Sequence, residues 1–261
     1  AAAPAFALGC GGAQANVSQP GATRAPVAPS TSSDIKVFTE ALSDVPLTGA
    51  QRGEIDHLAA DADGRHASIA EARKALELAL ADQVDAGHVD RGALQPKIDA
   101  IVAAVQATQA PDRAAFERLH AILDPDQRVA FVNALEAHIH DRVGEVRHGG
   151  PMREWADALK LTDDQQSRIR VMMKDEMEKS HPMKEAMHHA ERGAKILGAF
   201  KADRFVFDEV APQQDLHERV TTGVDRFLDL ANQVLPLLTP EQRTAASQRL
   251  RSKAGSIGFG P

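Results

Sequence analysis

The chain has no tyrosine, one tryptophan and one cysteine among 261 residues, and aromatics make up only 4%. A single cysteine excludes an internal disulfide. No apolar run approaches the roughly 20 residues that a membrane-crossing helix needs. Lys and Arg number 30 against 37 Asp and Glu, a formal charge of −7. That balance offers no basic face to a phosphate backbone and speaks against nucleic acid as a partner. Catalytic signatures are missing too: there is no His-Glu-x-x-His, no P-loop and no nucleophile elbow. His189-Ala190-Glu191 lacks the paired cysteines of a zinc deaminase. Asp61-Ala62-Asp63-Gly64 has Ala59 and Ala70 at the first and last ligand positions of a calcium loop. The expectation is a protein that is not an enzyme.

What is present is 43% apolar, enough for a real core, and rich in helix-compatible Ala, Leu, Glu, Gln, Arg and Asp. The opening "AAAPAFALGCGG" is small and apolar, with no basic stretch before it. Residues 1–10 are read as the remnant of an export signal. Ala7-Leu8-Gly9-Cys10 resembles a bacterial lipobox with its Leu one place late, which would make Cys10 a lipidation site. An ordinary signal peptidase site and a frayed Ala-rich end with a stray thiol are the alternatives. Residues 11–33 are Gly, Ala, Ser, Pro and Thr with almost no large apolar group. Burial there cannot offset ordering entropy, so a flexible, disordered tether is expected.

One phrase is written four times: Leu47-Thr48-x-x-Gln51, Leu123-Asp124-x-x-Gln127, Leu161-Thr162-x-x-Gln165 and Leu238-Thr239-x-x-Gln242. Each copy fits a helix start. Thr or Asp at the N-cap accepts from the N–H three residues on, and Gln reaches back to the cap N–H. Pro125 and Pro240 fall at the first helical position, where a missing N–H costs nothing. Asp163 and Glu241 put negative charge at the positive end of the dipole. The residues one place past each Gln are Arg52, Arg128, Gln166 and Arg243, so no hydrophobic staple forms and each Leu must pack into the core.

Gln51 and Gln127 are 76 positions apart, Gln165 and Gln242 are 77. A shift of 114 lays Ile55 on Ile169, Leu58 on Met172 and Ile69 on Met183. A shift of 115 lays Ile101 on Leu216, Val105 on Val220 and Leu135 on Leu250. Apolar positions fall on apolar positions, which points to an internal duplication. The apolar period is helical, as in Ile69, Ala72, Leu76, Leu80 and Val84. Breaks are expected at Gly87, Pro111, Gly144, Gly149-Gly150-Pro151, Pro182 and Pro212. The expected fold is all-α, with one helical repeat over 34–146 and a second over 147–261.

Paired Leu-Thr-x-x-Gln phrases at this separation, on a helical exported chain, resemble the Spy/CpxP family of periplasmic proteins. The resemblance covers roughly residues 45–255. It implies helical hairpins that dimerise into a thin cradle; with two copies in one chain, it implies an intramolecular pseudo-dimer that acts as a monomer. It implies a periplasmic location, with a lipid anchor if Cys10 is modified. It also implies ATP-independent, chaperone-like binding of unfolded or stressed envelope proteins, or docking onto a membrane sensor protein. Arg52, Arg128, Arg243 and Arg249 are the candidate client contacts, weighed against a merely solvated face.

The alternative function is a metal-binding sensor or resistance protein. Residues 171–193 concentrate Met177, His181, Glu185, His188 and His189 with further methionines. Imidazole with thioether suits copper, and imidazole with carboxylate suits zinc or nickel. The competing view makes the methionines core filler and the histidines surface residues. No cofactor is required for the chaperone function.

Overall fold

The computed structural model describes residues 21–28, 30, 33–147, 150–180, 182–212 and 216–254, and it is all-α across them apart from one β-bridge. The first half holds α1 (Ser33–Ser43), α2 (Gly49–Ala86), α3 (Arg91–Ile122) and α4 (Pro125–Arg147). The second holds α5 (Gly150–Ala158), α6 (Asp163–Ser180), α7 (Pro182–Phe200), α8 (Phe207–Val210), α9 (Leu216–Val234) and α10 (Pro240–Lys253), with a 3₁₀ turn at Leu235–Leu237 before the last.

Most helix ends follow the local chemistry. Gly87 closes α2 with φ of 87°, a left-handed conformation that suits glycine. Asp90 caps α3 by accepting from the N–H groups of Gly92 and Ala93. Pro182 opens α7, and Pro212 lies between α8 and α9. Two expected breaks do not occur. The third helix runs through Pro111, and the fourth runs through Gly144. A mid-helix proline costs about 3 kcal/mol. Packing on both sides of it offsets that cost, through buried Ile98, Ile101 and Val102 before and Leu119 after. Asp112, the next residue, is gripped from α2 by Arg65 at 3.0 Å and His66 at 2.8 Å. A helical glycine costs only about 1 kcal/mol, too little to end α4.

Two cores form, and each draws on both halves of the chain. One gathers Leu76, Leu80, Val84, Leu94 and Ile98 around Leu159, Val224, Leu228, Leu235 and Leu250. The other gathers Leu47, Ile55, Leu123, Phe131 and Leu135 around Phe200 and Phe205. The turn of each half therefore sits in the other half's core. Asn232 on α9 holds Val89 by both its N–H and its C=O, each at 2.9 Å. Glu117 on α3, 115 positions earlier, accepts from the Phe207 N–H at 2.7 Å.

The segment read as a flexible tether over 11–33 is, in its described part, docked onto the first half. Thr23 pairs with Leu47 in both directions, at 3.0 and 2.9 Å. Val27 is 4% exposed. Composition predicted freedom because the segment offers little side-chain burial; its main chain, however, finds hydrogen-bond partners.

Candidate functional site

All four phrases form reciprocal caps. Gln51 accepts from the Thr48 N–H and donates its own backbone N–H to the Thr48 hydroxyl, at 3.0 and 3.3 Å. Asp124 and Gln127 do the same at 3.0 and 2.8 Å, so Asp serves as well as Thr. Thr162 with Gln165 and Thr239 with Gln242 repeat it. Leu47, Leu123 and Leu238 are buried and Leu161 packs at the core's edge, as the missing staples require.

The glutamines then meet in pairs, which the sequence did not announce. Gln51 donates to Gln127 at 2.7 Å and Gln127 donates back at 3.1 Å. Each spare N–H reaches the carbonyl before the other's cap: Gln51 takes Ile122 O at 2.9 Å and Gln127 takes Pro46 O at 2.7 Å. Gln165 and Gln242 repeat the clasp at 2.8 and 3.0 Å, with Leu237 O and Lys160 O as the outer acceptors. A carboxamide carries two N–H donors and one acceptor oxygen. Here every one is used. A carboxylate could not replace it, having no hydrogen to donate. The near-constant spacing of 76 and 77 marked the repetition but not the pairing.

The candidate client-binding arginines are drawn into the fold. Arg52 donates to the carbonyls of Thr23, Ala25 and Pro26. Arg128 donates to His120 O, Leu123 O and Ala202 O, tying α4 to the turn after α7. Arg243 lies against Gly87, where a side chain would meet its guanidinium at 3.2 Å. Arg249 stands 5.2 Å over the Trp155 ring and pairs with Glu154 at 2.8 Å. Lys253 and then Arg249 hold the Glu154 carboxyl below its usual range. Position four of a helix places a long side chain beside the carbonyls of the preceding turn. Arg128 satisfies two of those carbonyls, while Arg52 turns instead to the carbonyls of residues 23–26.

Of the proposed metal ligands, His188 is exposed and pairs with Glu191 at 3.7 Å. The side chains of Met177, His181, Glu185 and His189 lie outside the described residues, as does Cys10. Among the described residues no group of three or more His, Cys, Asp or Glu could hold a metal ion.

The best-exposed apolar side chains of the described chain are on α6 and α7. Val171 is 56% exposed and Met187 57%. Around Val171 stand the exposed Arg168, Arg170, Lys174 and Asp175. Among the described side chains of α6, Ile169 alone is buried.

No curated protein and no solved structure matches the chain. A family model does: residues 147–250 match that of the LTXXQ motif family protein. That stretch contains the second clasp and the arm between its two caps, and over it the chain is similar to the LTXXQ motif family.

Proposed function

We propose that the protein binds unfolded or stressed envelope proteins without ATP and without catalysis. One observation carries this: Val171 on α6 and Met187 on α7 are each more than half exposed, and exposed charged side chains stand beside Val171. A surface of that mixture grips exposed apolar groups weakly and lets polar segments go, so a bound chain can still fold. Proteins of the LTXXQ family are generally periplasmic, a compartment that offers such clients. Lipid on Cys10 would tether the protein to the envelope.

The two halves act, in this view, as a covalent pseudo-dimer. Support comes from the exchanged turns and from Asn232 and Glu117 at matching positions. A sedimentation measurement should give one chain per particle; an obligate dimer would count against it.

The function is tested by light scattering. A chemically denatured reporter is diluted into buffer with and without the protein, in chelator and with added Zn²⁺. Suppression of aggregation is expected in chelator. Suppression only with metal would favour the metal-sensor alternative, and none in either condition would sink the chaperone function.

A further inference from the structure

Residues 23–28 lie extended across the start of α2, and the way they are held is informative. Seven of the polar contacts fall on their main chain. Thr23 exchanges two hydrogen bonds with Leu47, at 3.0 and 2.9 Å. Arg52 donates to Thr23 O at 2.9 Å and to Ala25 O and Pro26 O. The Val27 N–H donates to Ser43 Oγ at 3.0 Å, and the Ala28 N–H to Asp56 Oδ1 at 2.8 Å. Ser30 beyond them bonds Asp63. Among residues 23–28 a single side chain is anchored, that of Val27, buried in the core around Leu47 and Phe131. The side chain of Arg24 is exposed.

Main-chain recognition with one aliphatic anchor is how proteins take an extended peptide of loosely specified sequence. Backbone groups supply the affinity, and one pocket supplies a preference. Leu47 contributes the edge, Arg52 the carbonyl clamp, and Ser43 and Asp56 accept the N–H groups. Among the described residues the second half shows no such groove. There the Leu161 N–H is taken by Ala156 O at 3.0 Å, and Gln166 in the place of Arg52 turns back to Leu161 O. The feature is therefore not a by-product of the repeated cap.

We propose that the cleft between α1 and the start of α2 is a binding groove for an extended, unfolded polypeptide segment carrying a small aliphatic residue, and that residues 23–28 occupy it as a self-ligand. A client segment binds by displacing them. The proposal deepens the chaperone function and rests on it. Because the self-ligand is joined to α1 by a few residues, its effective concentration is on the order of millimolar, so only clients present as long unfolded chains with several such segments displace it readily.

The test uses the full chain and a fluorescein-labelled peptide of sequence GATRAPVAPS, read by anisotropy. Val27→Asp replaces the buried anchor with a charge and releases the self-ligand while leaving Arg52, Ser43 and Asp56 in place. We expect Val27→Asp to bind the peptide at least tenfold more tightly than the unaltered chain. Adding Arg52→Ala should return binding to the unaltered level, and a denatured reporter protein should compete the peptide off. Equal binding by both chains, indifference to Arg52, or no competition by the reporter would overturn the proposal. If Val27→Asp loses helical circular dichroism, the unaltered chain is titrated with excess unlabelled peptide and followed by amide hydrogen exchange. Faster exchange at Val27 and Ala28 with retained protection at Leu47 is expected; no change at any of the three overturns it. Aggregation suppression by the unaltered chain is read in the same preparation. Suppression without peptide competition sinks the groove and leaves the chaperone function, whereas competition without suppression upholds the groove and sinks that function.

Discussion

The helix that leaves the first cap, α2, runs unbroken for 38 residues and buries Ile55, Ala59, Ala62, Ile69, Leu76, Leu80, Ala81 and Val84. Its counterpart after the third cap is divided into α6 and α7, and of their described side chains Ile169 and Phe200 are buried. The clasps at the roots of these two arms are alike to within a few tenths of an ångström. What differs is the cover. The last helix, α10, lies along the far end of α2, with Arg251 on Asp82 at 2.7 Å and Thr244 on Asp85 at 2.8 Å. Its counterpart α4 lies on α1 instead, where Arg142 holds Glu40 at 2.9 Å. One half thus supplies a packed spine. The other keeps the same cap but leaves an arm with apolar side chains in water. A cap fixes where a helix starts, and packing alone decides whether its apolar face is core or surface.

The widest contrast should come from the arms themselves. Phe200→Ala removes a fully buried ring from the core around Leu47 and Phe131 and should cost about 3–5 kcal/mol, and Leu80→Ala on the packed spine about 2–5 kcal/mol. Val171→Ala on the open arm should stay within about 0.5 kcal/mol and instead weaken aggregation suppression. Urea unfolding measures the first two, and light scattering the third. Equal costs at Leu80 and Val171 would erase the distinction between spine and arm. Because Phe200 belongs to the second half yet fills a core built mainly by the first half, its loss should lower a single shared transition.

The clasps offer the next contrast. Gln127 is 5% exposed and Gln242 is half-buried. A Gln→Glu change keeps the shape but removes both donated hydrogen bonds and adds a charge beside a carbonyl. Gln127→Glu should cost about 3 kcal/mol, because a buried charge is left with acceptors as neighbours. Gln242→Glu should cost about 1 kcal/mol, with water to relieve it. Thermal unfolding at neutral pH distinguishes them, and a reversed order would mean the second clasp is the one that bears the load. Smaller still is the cap alone. Thr48→Ala and Thr239→Ala each remove one accepted backbone hydrogen bond and should cost about 1 kcal/mol, alike in both halves.

The caps and the all-α class were legible because they are local: a Thr, a Gln three residues on and a helical period contain all that is needed. The glutamine clasps were not, since no local rule tells that two side chains 76 residues apart converge. The matched spacing hinted at repetition and nothing more. The docked segment at 23–28 escaped for a related reason. Its hydrogen bonds come from its main chain, which composition does not describe, and only Val27 among its side chains is buried. Pro111 misled because a breaker was weighed against local propensity rather than against the buried faces on both sides of it. The arginines after the caps were read as surface because they are charged, although Arg128 reaches the preceding turn's carbonyls and Arg52 those of residues 23–26. Exposed Val171 could not be told from core by its spacing, since a helical stripe looks the same whether or not another helix comes to cover it.

The smallest effect lies where α2 and α3 run side by side, beside the proline that fails to break the helix. Burial pushes the Asp112 carboxyl up, but hydrogen bonds from His66 and Arg65 outweigh it and hold the group below its ordinary value. The sign follows from linkage. A carboxyl that binds its proton less readily when folded contributes stability above its unfolded value, near pH 4. That contribution fades as pH falls through the lower, folded value. Half-buried as the group is, its worth should be about 1 kcal/mol at most. Asp112→Asn should therefore lower stability slightly at pH 7 and leave it nearly unchanged at pH 2. Urea unfolding of the two chains at both values measures this. A gap that persisted at pH 2 would mean that Asp112 contributes through its shape and packing next to Pro111, and that the ion pair is not what carries α3 past the proline.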